Sequence, residues 1–311
     1  MPATPASSVS SWPPATAAPG PGTALDLAIV IPAYNERDGV GATVDRVRDA
    51  LKASAITWEV VVVDDGSGDG TGSEAEAHGA RVITQVENQG YGAALKAGIA
   101  GSDAALIAII DADGTYPPEA IPRLVELAAN ADMVVGARAM QDRSIPVERR
   151  PGKWLLVKLA SYLSEREIPD LNSGLRVMRR TIVERFLHIL PSGFSFTTTI
   201  TLALLSTGHR VAYEPIACEP RIGASKLRAT DFMGFVMLVL RTIVLFNPLR
   251  VFLPLGTLLF VAGLGKFVYE VALWNLSESA VMAFLAAIIV WSVGLLADMI
   301  ARLQLRPPGS F

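Results

Sequence analysis

Between Leu25 and Val135 short β-branched runs alternate with stretches of helical character, and this alternation constrains the fold more than any other feature of the chain. The apolar runs are Leu27 to Ile31, Glu59 to Val63, Arg81 to Val86, Ala105 to Ile110 and Met133 to Val135. Val40 to Ala53 and Tyr91 to Ala100 read as helices between them. The pattern predicts an α/β fold, a mainly parallel sheet wrapped by helices, and ligands of such sheets bind at the carboxyl ends of the strands. Three runs end in polar chemistry: Pro32 to Glu36, then Asp64-Asp65-Gly66-Ser67, then Asp111-Ala112-Asp113. Packing is a poor explanation for acids at three strand ends, because a buried unpaired carboxylate is costly.

The third of these is the sharpest. An apolar run from Ala104 to Ile110 delivers Asp111 and Asp113, and Gly114 with Pro117-Pro118 then stops the strand. Residues two apart on an extended backbone share a face, so the pair is expected to converge on one hard cation such as Mg²⁺ or Mn²⁺. The simpler reading is a strand-end pair that caps the following helix, and two acids alone do not decide it.

Composition narrows the class. The 311 residues are 51% hydrophobic and carry a formal net charge of -3, and the mean hydropathy of +0.39 calls for a membrane part. A near-neutral balance without a basic arm leaves no nucleic-acid footprint. One cysteine, Cys218, excludes an internal disulfide and a cysteine-clustered metal site. His78, His188 and His209 show no ligand spacing. Residues 1–24 are rich in Pro, Ala, Ser and Gly and read as a disordered tail. They lack the charged start and apolar core of a signal peptide, so the globular part is expected in the cytoplasm.

IPAYNE at 31–36, VVDDGSGDGT at 62–71, NQGYGAALKAG at 88–98, DADGTYPPE at 111–119 and GAR at 136–138 occur in an order and spacing that resembles family 2 glycosyltransferases of the GT-A fold. The resemblance spans roughly residues 25–230. It implies that Pro32, Tyr34, Glu36 and Asp65 hold the nucleotide, that Lys96 lies near the donor, and that Asp111 and Asp113 bind the divalent ion that bridges the diphosphate. Simpler readings are a packing aromatic for Tyr34 and a solvated helix face for Lys96. A dinucleotide site is disfavoured, since no G-x-G-x-x-G follows the first strand.

Between Glu184 and Glu214 there is no Asp or Glu, although inverting GT-A enzymes acting on a sugar hydroxyl usually place their base in this region. A hydroxyl acceptor needs its proton removed. A phosphomonoester, with a second pKa of about 6, does not. The Q-x-x-R-W motif of processive polysaccharide synthases is also absent, and both absences point to a phosphate acceptor. Basic residues that could receive it are Arg138, Arg149 and Arg150, then Arg176, Arg179 and Arg180 in DLNSGLRVMRR (170–180), then Arg221 and Lys226 in RIGASKL (221–227). The alternative is attraction of cytosolic basic residues to anionic headgroups. GAR, S-G-L-R and R-x-G-x-S-K resemble polyprenyl-phosphate (dolichol or undecaprenyl-phosphate) mannose and glucose synthases. That resemblance makes Arg138, Arg150, Arg221 and Lys226 the acceptor-phosphate candidates, and Asp113, Arg138 and Arg221 the residues expected to carry catalysis. Asp170 and Ser173 are expected to hold the strand. One departure is Thr115, where many such synthases have Gln or His as a further metal ligand.

Toward the C-terminus, residues 153–168 read equally as an interfacial helix or a core-facing one. Residues 229–250 read as an amphipathic juxtamembrane helix, because Arg241 in a membrane span costs about 2.5–3.5 kcal/mol. Val251 to Trp274 and Val281 to Ala301 are each long enough to cross about 30 Å of hydrocarbon. Arg250, Arg302 and Arg306 flank them while Asn275 to Ser279 carries no Lys or Arg, so both ends are expected in the cytoplasm. Lys266 and Glu270 are spaced to pair and fit a helix–helix or homo-oligomer contact better than catalysis.

The expected organisation is thus a tail at 1–24, a GT-A catalytic domain at 25–228, the juxtamembrane helix at 229–250, a transmembrane hairpin at 251–306 and a short tail at 307–311. The expected activity is transfer of a hexose from a nucleotide sugar to polyprenyl phosphate at the inner face of the cell membrane, with Mg²⁺ or Mn²⁺. Extension of a lipid-linked glycan at a sugar hydroxyl and a non-catalytic lipid-phosphate-binding subunit stay open as alternatives.

Overall fold

The computed structural model describes residues 25–138, 168–218, 244, 247–274 and 278–304. The expected tail, nearly all of 153–168, most of 229–250, and Arg149, Arg150, Arg221 and Lys226 lie outside the described residues.

The strands are β1 (Leu27–Ala33), β2 (Trp58–Asp64), β3 (Arg81–Thr84), β4 (Leu106–Ile109), β5 (Met133–Arg138), β6 (Arg176–Arg179) and β7 (Val211–Ile216). The helices are α1 (Arg37–Leu51), α2 (Thr71–Ala77), α3 (Tyr91–Ala100), α4 (Ile121–Leu127), α5 (Arg180–Phe186), α6 (Phe196–Ser206), α7 (Leu249–Ala272) and α8 (Glu278–Gln304). One seven-stranded sheet runs β3-β2-β1-β4-β6-β5-β7. Its pairs are parallel except those of β6, which is antiparallel to β4 and β5. The expected five strands are all present, shorter at β3 and β4 than their apolar runs, and β6 and β7 are additional.

The period-2 alternation of β1 explains the layers. Leu27, Ile29 and Ile31 face one side with Val40, Val44 and Val47 of α1, while Ala28 and Val30 face the other with Leu95 and Ile99 of α3 and Ile200 of α6. These large side chains are fully buried, each contributing on the order of 2 kcal/mol. Pro32 has no N–H to donate, and the β1–β4 ladder accordingly ends at Val30↔Ile109.

Register brings the polar strand ends to one edge. Ala33 lies beside Asp64, and Arg176 pairs with both Ile109 and Val135. Because β6 runs antiparallel, its entering loop at 170–175 meets the carboxyl ends of β4 and β5. Order reverses between β2-β1 and β1-β4, the kind of switch point at which open sheets bind ligands.

α7 and α8 form an antiparallel hairpin, and both are long and apolar enough to cross a membrane. Small residues allow close approach: a Cβ on Gly263 would lie 2.9 Å from Ala283 Cβ, and one on Gly294 would lie 2.6 Å from Phe252 Cβ. Leu258, Val268, Ile289 and Leu296 are exposed on its outer surface, which suits a lipid solvent. Lys266 and Glu270 pair at 3.8 Å as their spacing predicts, and Ser279 Oγ donates to Glu270 at 3.2 Å.

Candidate active site

Asp111 lies just beyond the end of β4 and Asp113 in the turn that follows, so the two are not both on an extended strand. The alternation argument for their convergence therefore does not apply, and local contacts position them instead. The Thr43 hydroxyl of α1 donates to Ala112 O at 3.0 Å, which pins the turn to the helix. Asp113 Oδ1 accepts the Thr115 N–H at 3.0 Å across Gly114, whose φ is +72°. Tyr91, at the start of α3, donates its hydroxyl to Asp111 Oδ1 at 2.8 Å. Burial first, then the charge of Asp111, raises the Tyr91 phenol well above its ordinary value.

Residues following β1 and β2 are laced together. Asn35, at φ +52°, accepts the Gly68 N–H on Oδ1 at 3.1 Å and donates its own N–H to Ser67 Oγ at 2.9 Å. The Glu36 and Arg37 N–H groups donate to Thr71 Oγ1 and Asp69 Oδ2. Tyr34 stands 45% exposed above this lacing, whereas Pro32 is buried within β1. Asp65 is 3% exposed, and its two carboxylate oxygens accept the N–H groups of Gln89 and Gly90 at 2.9 and 2.8 Å. Its carboxylate thus ties down the turn that starts α3. Lys96 is half-buried on α3.

Arg138 ends β5 and grips Asp170 through Nε–Oδ2 at 2.7 Å and Nη2–Oδ1 at 3.0 Å. Burial pushes the Asp170 carboxyl up, but the Arg138 hydrogen bonds and charge outweigh it and leave the group below its ordinary value. Burial likewise opposes the Arg138 charge, and the Asp170 bonds raise that guanidinium above its usual range. Ser173 is fully buried with Oγ donating to Gly136 O at 2.6 Å. Asp170 and Ser173 therefore hold the strand as expected. The buried Tyr116 phenol is pushed up to about 12, chiefly by burial and then by Asp111, with Arg138 opposing.

Three arginines of the expected acceptor cluster go elsewhere. Arg176 is fully buried and bonds Ser173 O, Thr197 O and Thr201 Oγ1. Arg179 caps the carbonyls of Ala128, Ala129 and Ala131, and Arg180 meets Ser102 O and Asp103. The antiparallel course of β6 carries Arg179 to the amino end of β4, beside Leu106. Sequence reasoning also missed Tyr91, which lay inside a quoted motif without a role, and Gly174, whose bare α-carbon abuts Asp111.

The donor set fits a hard divalent cation: two carboxylates, and beside them the buried Thr115 Oγ1, which has no hydrogen-bond partner among the described residues. Among those residues no group of three or more His, Cys, Asp or Glu could hold a metal.

An open α/β sheet with paired acids at its carboxyl edge, followed by an apolar hairpin, defines a membrane-associated protein of the GT-A class. Residues 28–187 match the model of glycosyl transferase family 2, residues 247–303 match that of the GtrB C-terminal hairpin, and the chain belongs to this glycosyltransferase family. Among its relatives is the dolichyl-phosphate hexose transferase of Haloferax volcanii, 35% identical over 207 residues, which cover 65% of this chain and 86% of that one. The undecaprenyl-phosphate mannosyltransferase of Micrococcus luteus is 31% identical, with 64% and 86% covered. Undecaprenyl-phosphate 4-deoxy-4-formamido-L-arabinose transferase of Klebsiella pneumoniae is 30% identical, with 76% and 73% covered. Among solved structures, mannosyl-3-phosphoglycerate synthase of Rubrobacter xylanophilus superposes with a TM-score of 0.58 at 20% identity, covering 73% of this chain and 74% of that one. Glucosyl-3-phosphoglycerate synthase of Mycobacterium tuberculosis, in complex with Mn²⁺, UDP and glucosyl-3-phosphoglycerate, gives 0.55 at 22%, covering 71% and 79%. At such identities the structural likeness speaks for the fold alone.

Proposed function

We propose that this chain is an inverting glycosyltransferase that moves a hexose from a nucleotide sugar, of the GDP-mannose or UDP-glucose type, to polyprenyl phosphate. The observation that carries the reading is the lack of any carboxylate between Glu184 and Glu214. In that segment Thr198 of α6 spends its hydroxyl on Asn172 Oδ1 at 2.5 Å, in the loop that reaches Asp111 through Gly174. A sugar hydroxyl would find no base there, whereas a phosphate dianion needs none. The relatives agree, each being a transferase to dolichyl or undecaprenyl phosphate by name.

In this mechanism an acceptor phosphate oxygen attacks the anomeric carbon, the bond from that carbon to the diphosphate oxygen breaks, and the nucleoside diphosphate leaves from the opposite face. Pro32, Tyr34, Glu36 and Asp65 line the nucleotide end, Asp65 mainly by fixing the turn before α3, and Lys96 lies toward the donor. Asp111 and Asp113, with Thr115 completing the oxygen set directly or through water, would hold Mg²⁺ or Mn²⁺, which when bound neutralises charge on the departing diphosphate. Arg138 orients the acceptor phosphate with the edge left free by Asp170. Arg150, Arg221 and Lys226, outside the described residues, complete the phosphate site by resemblance. The hairpin crosses the membrane twice with residues 275–279 outside, which keeps the 25–228 domain at the cytoplasmic surface where the lipid headgroup lies.

The test is a panel of UDP- and GDP-sugars with a short polyprenyl phosphate and Mn²⁺, run on the wild type and Asp113→Ala. One donor should be transferred to the lipid phosphate, and the variant should lose that transfer by at least 100-fold. Transfer to a lipid-linked sugar hydroxyl but never to the phosphate would overturn the acceptor, and undiminished transfer by Asp113→Ala would overturn the metal assignment.

A further inference from the structure

Tyr91 is placed more tightly than a residue at a helix start needs to be. The turn over residues 191–195 closes on the beginning of α3, with the Ala93 N–H donating to Ser192 O at 3.0 Å. A Cβ on Gly90 would lie 2.7 Å from that same carbonyl, so only glycine allows the approach. The turn then lays Phe194 on the Tyr91 ring, stacked with centroids 5.3 Å apart and planes 18° apart. Phe194 is itself 84% exposed, so its ring is kept there with little burial of its own. The outcome is a phenol with fixed ring plane and fixed height, its hydroxyl 2.8 Å from Asp111 Oδ1. On another side of the same carboxylate, Gly174 leaves no room to swing, since a Cβ there would meet Oδ2 at 2.3 Å.

We infer that Tyr91 is a positioning residue that sets the orientation of the Asp111 carboxylate toward the cation, with Phe194 and the 191–195 turn as its support. The inference rests on the reading of Asp111 as a metal ligand. A hydrogen bond from a fixed donor removes rotational freedom from the carboxylate oxygen that accepts it, here Asp111 Oδ1. Partners of this kind typically change metal affinity by 10–100-fold when they are removed.

Mn²⁺ binding to the full-length protein in detergent, followed by electron paramagnetic resonance with and without GDP or UDP, separates the possibilities without reference to turnover. Tyr91→Phe keeps the ring and its stack, and its Mn²⁺ affinity should fall roughly tenfold, with the unfolding midpoint in metal-free buffer unchanged. Phe194→Leu keeps the hydroxyl and should hold affinity closer to wild type than Tyr91→Phe does. Asp111→Asn should abolish the binding. Wild-type affinity in Tyr91→Phe, alongside loss in Asp111→Asn, overturns the inference and leaves the metal reading standing. A fall in Mn²⁺ affinity of Tyr91→Phe that comes with a matching drop in its metal-free unfolding midpoint assigns the effect to packing and also overturns it. Undiminished binding by Asp111→Asn overturns the metal reading itself.

Discussion

Gly174 and Asp111 occupy adjoining space that no side chain can share: a Cβ on Gly174 would stand 2.3 Å from Asp111 Oδ2 and 2.6 Å from its carboxyl carbon. The loop that enters β6 therefore forms one wall of the carboxylate's pocket. Gly174→Ala is expected to move Asp111 or the loop by about 1 Å, since ordinary van der Waals contact begins at 3.4 Å. Overpacking of this kind costs about 1–3 kcal/mol, and a misplacement near 1 Å can cost about 100-fold in rate. Transfer assays together with thermal unfolding check it, and the expected result is a loss of activity out of proportion to the loss of stability.

Asp170 is buried under Arg138, whose side chain is 27% exposed. Removing one partner of such a pair leaves the other charge poorly solvated, so Asp170→Ala is expected to lower stability by about 3 kcal/mol, the low end for a buried pair. The folded carboxyl lies below its ordinary 3.8. Its contribution is therefore present above about pH 3.8 and lost as pH falls through the depressed folded value. Denaturant titrations at stepped pH should show an acid slope in the wild type that is reduced in Asp170→Asn.

His78 sits between α1 and α2, with Nδ1 2.8 Å from Asp45 Oδ2 and Nε2 3.3 Å from Glu74 Oε1. The hydrogen bond to Asp45 is the main cause that raises its pKa above the ordinary 6.5. A raised value stabilises the fold fully below about pH 6.5 and loses that contribution as pH climbs through the folded value. Unfolding midpoints between pH 6 and 9 should decline more steeply in the wild type than in His78→Gln.

How far the sequence could be read depends on where each signal lies. The β-branched runs gave β1 to β5 because burial on both faces makes a parallel strand apolar throughout. β7 was hidden by Glu214 and Pro215, residues that argue against a strand, and β6 is only RVMR. Helix α6 reads FTTTITLALLS, a threonine-rich run whose propensity favours strand, and its burial on every side decides otherwise. In the site, the acids were legible because they end apolar runs. The partners of Asp111 were not, since Tyr91 and Gly174 lie 20 residues before it and 63 after it in the numbering of the chain. Arginines in DLNSGLRVMRR looked alike as cations, and only the antiparallel course of β6 separates Arg176 in the core from Arg179 and Arg180 at the far edge.

Arg176 is the most constrained of those three. Its guanidinium is fully buried and donates to Ser173 O at 2.6 Å, Thr197 O at 3.0 Å and Thr201 Oγ1 at 2.9 Å. Burial lowers its pKa from the ordinary range, and the neighbouring Tyr91 counteracts part of that. The planar fork reaches α6 and the Ser173 carbonyl together, which a single ammonium cannot reproduce. Arg176→Lys is thus expected to leave at least one of these acceptors unsatisfied at about 1–3 kcal/mol, and to release the turn that seats Gly174 against Asp111. Thr201→Val removes one acceptor and leaves the Ser173 bonds, so it should cost about 1 kcal/mol and spare activity. Measured side by side, the two variants should differ more in turnover than in unfolding midpoint. Equal turnover in both would show that the Ser173 turn holds its place without Arg176.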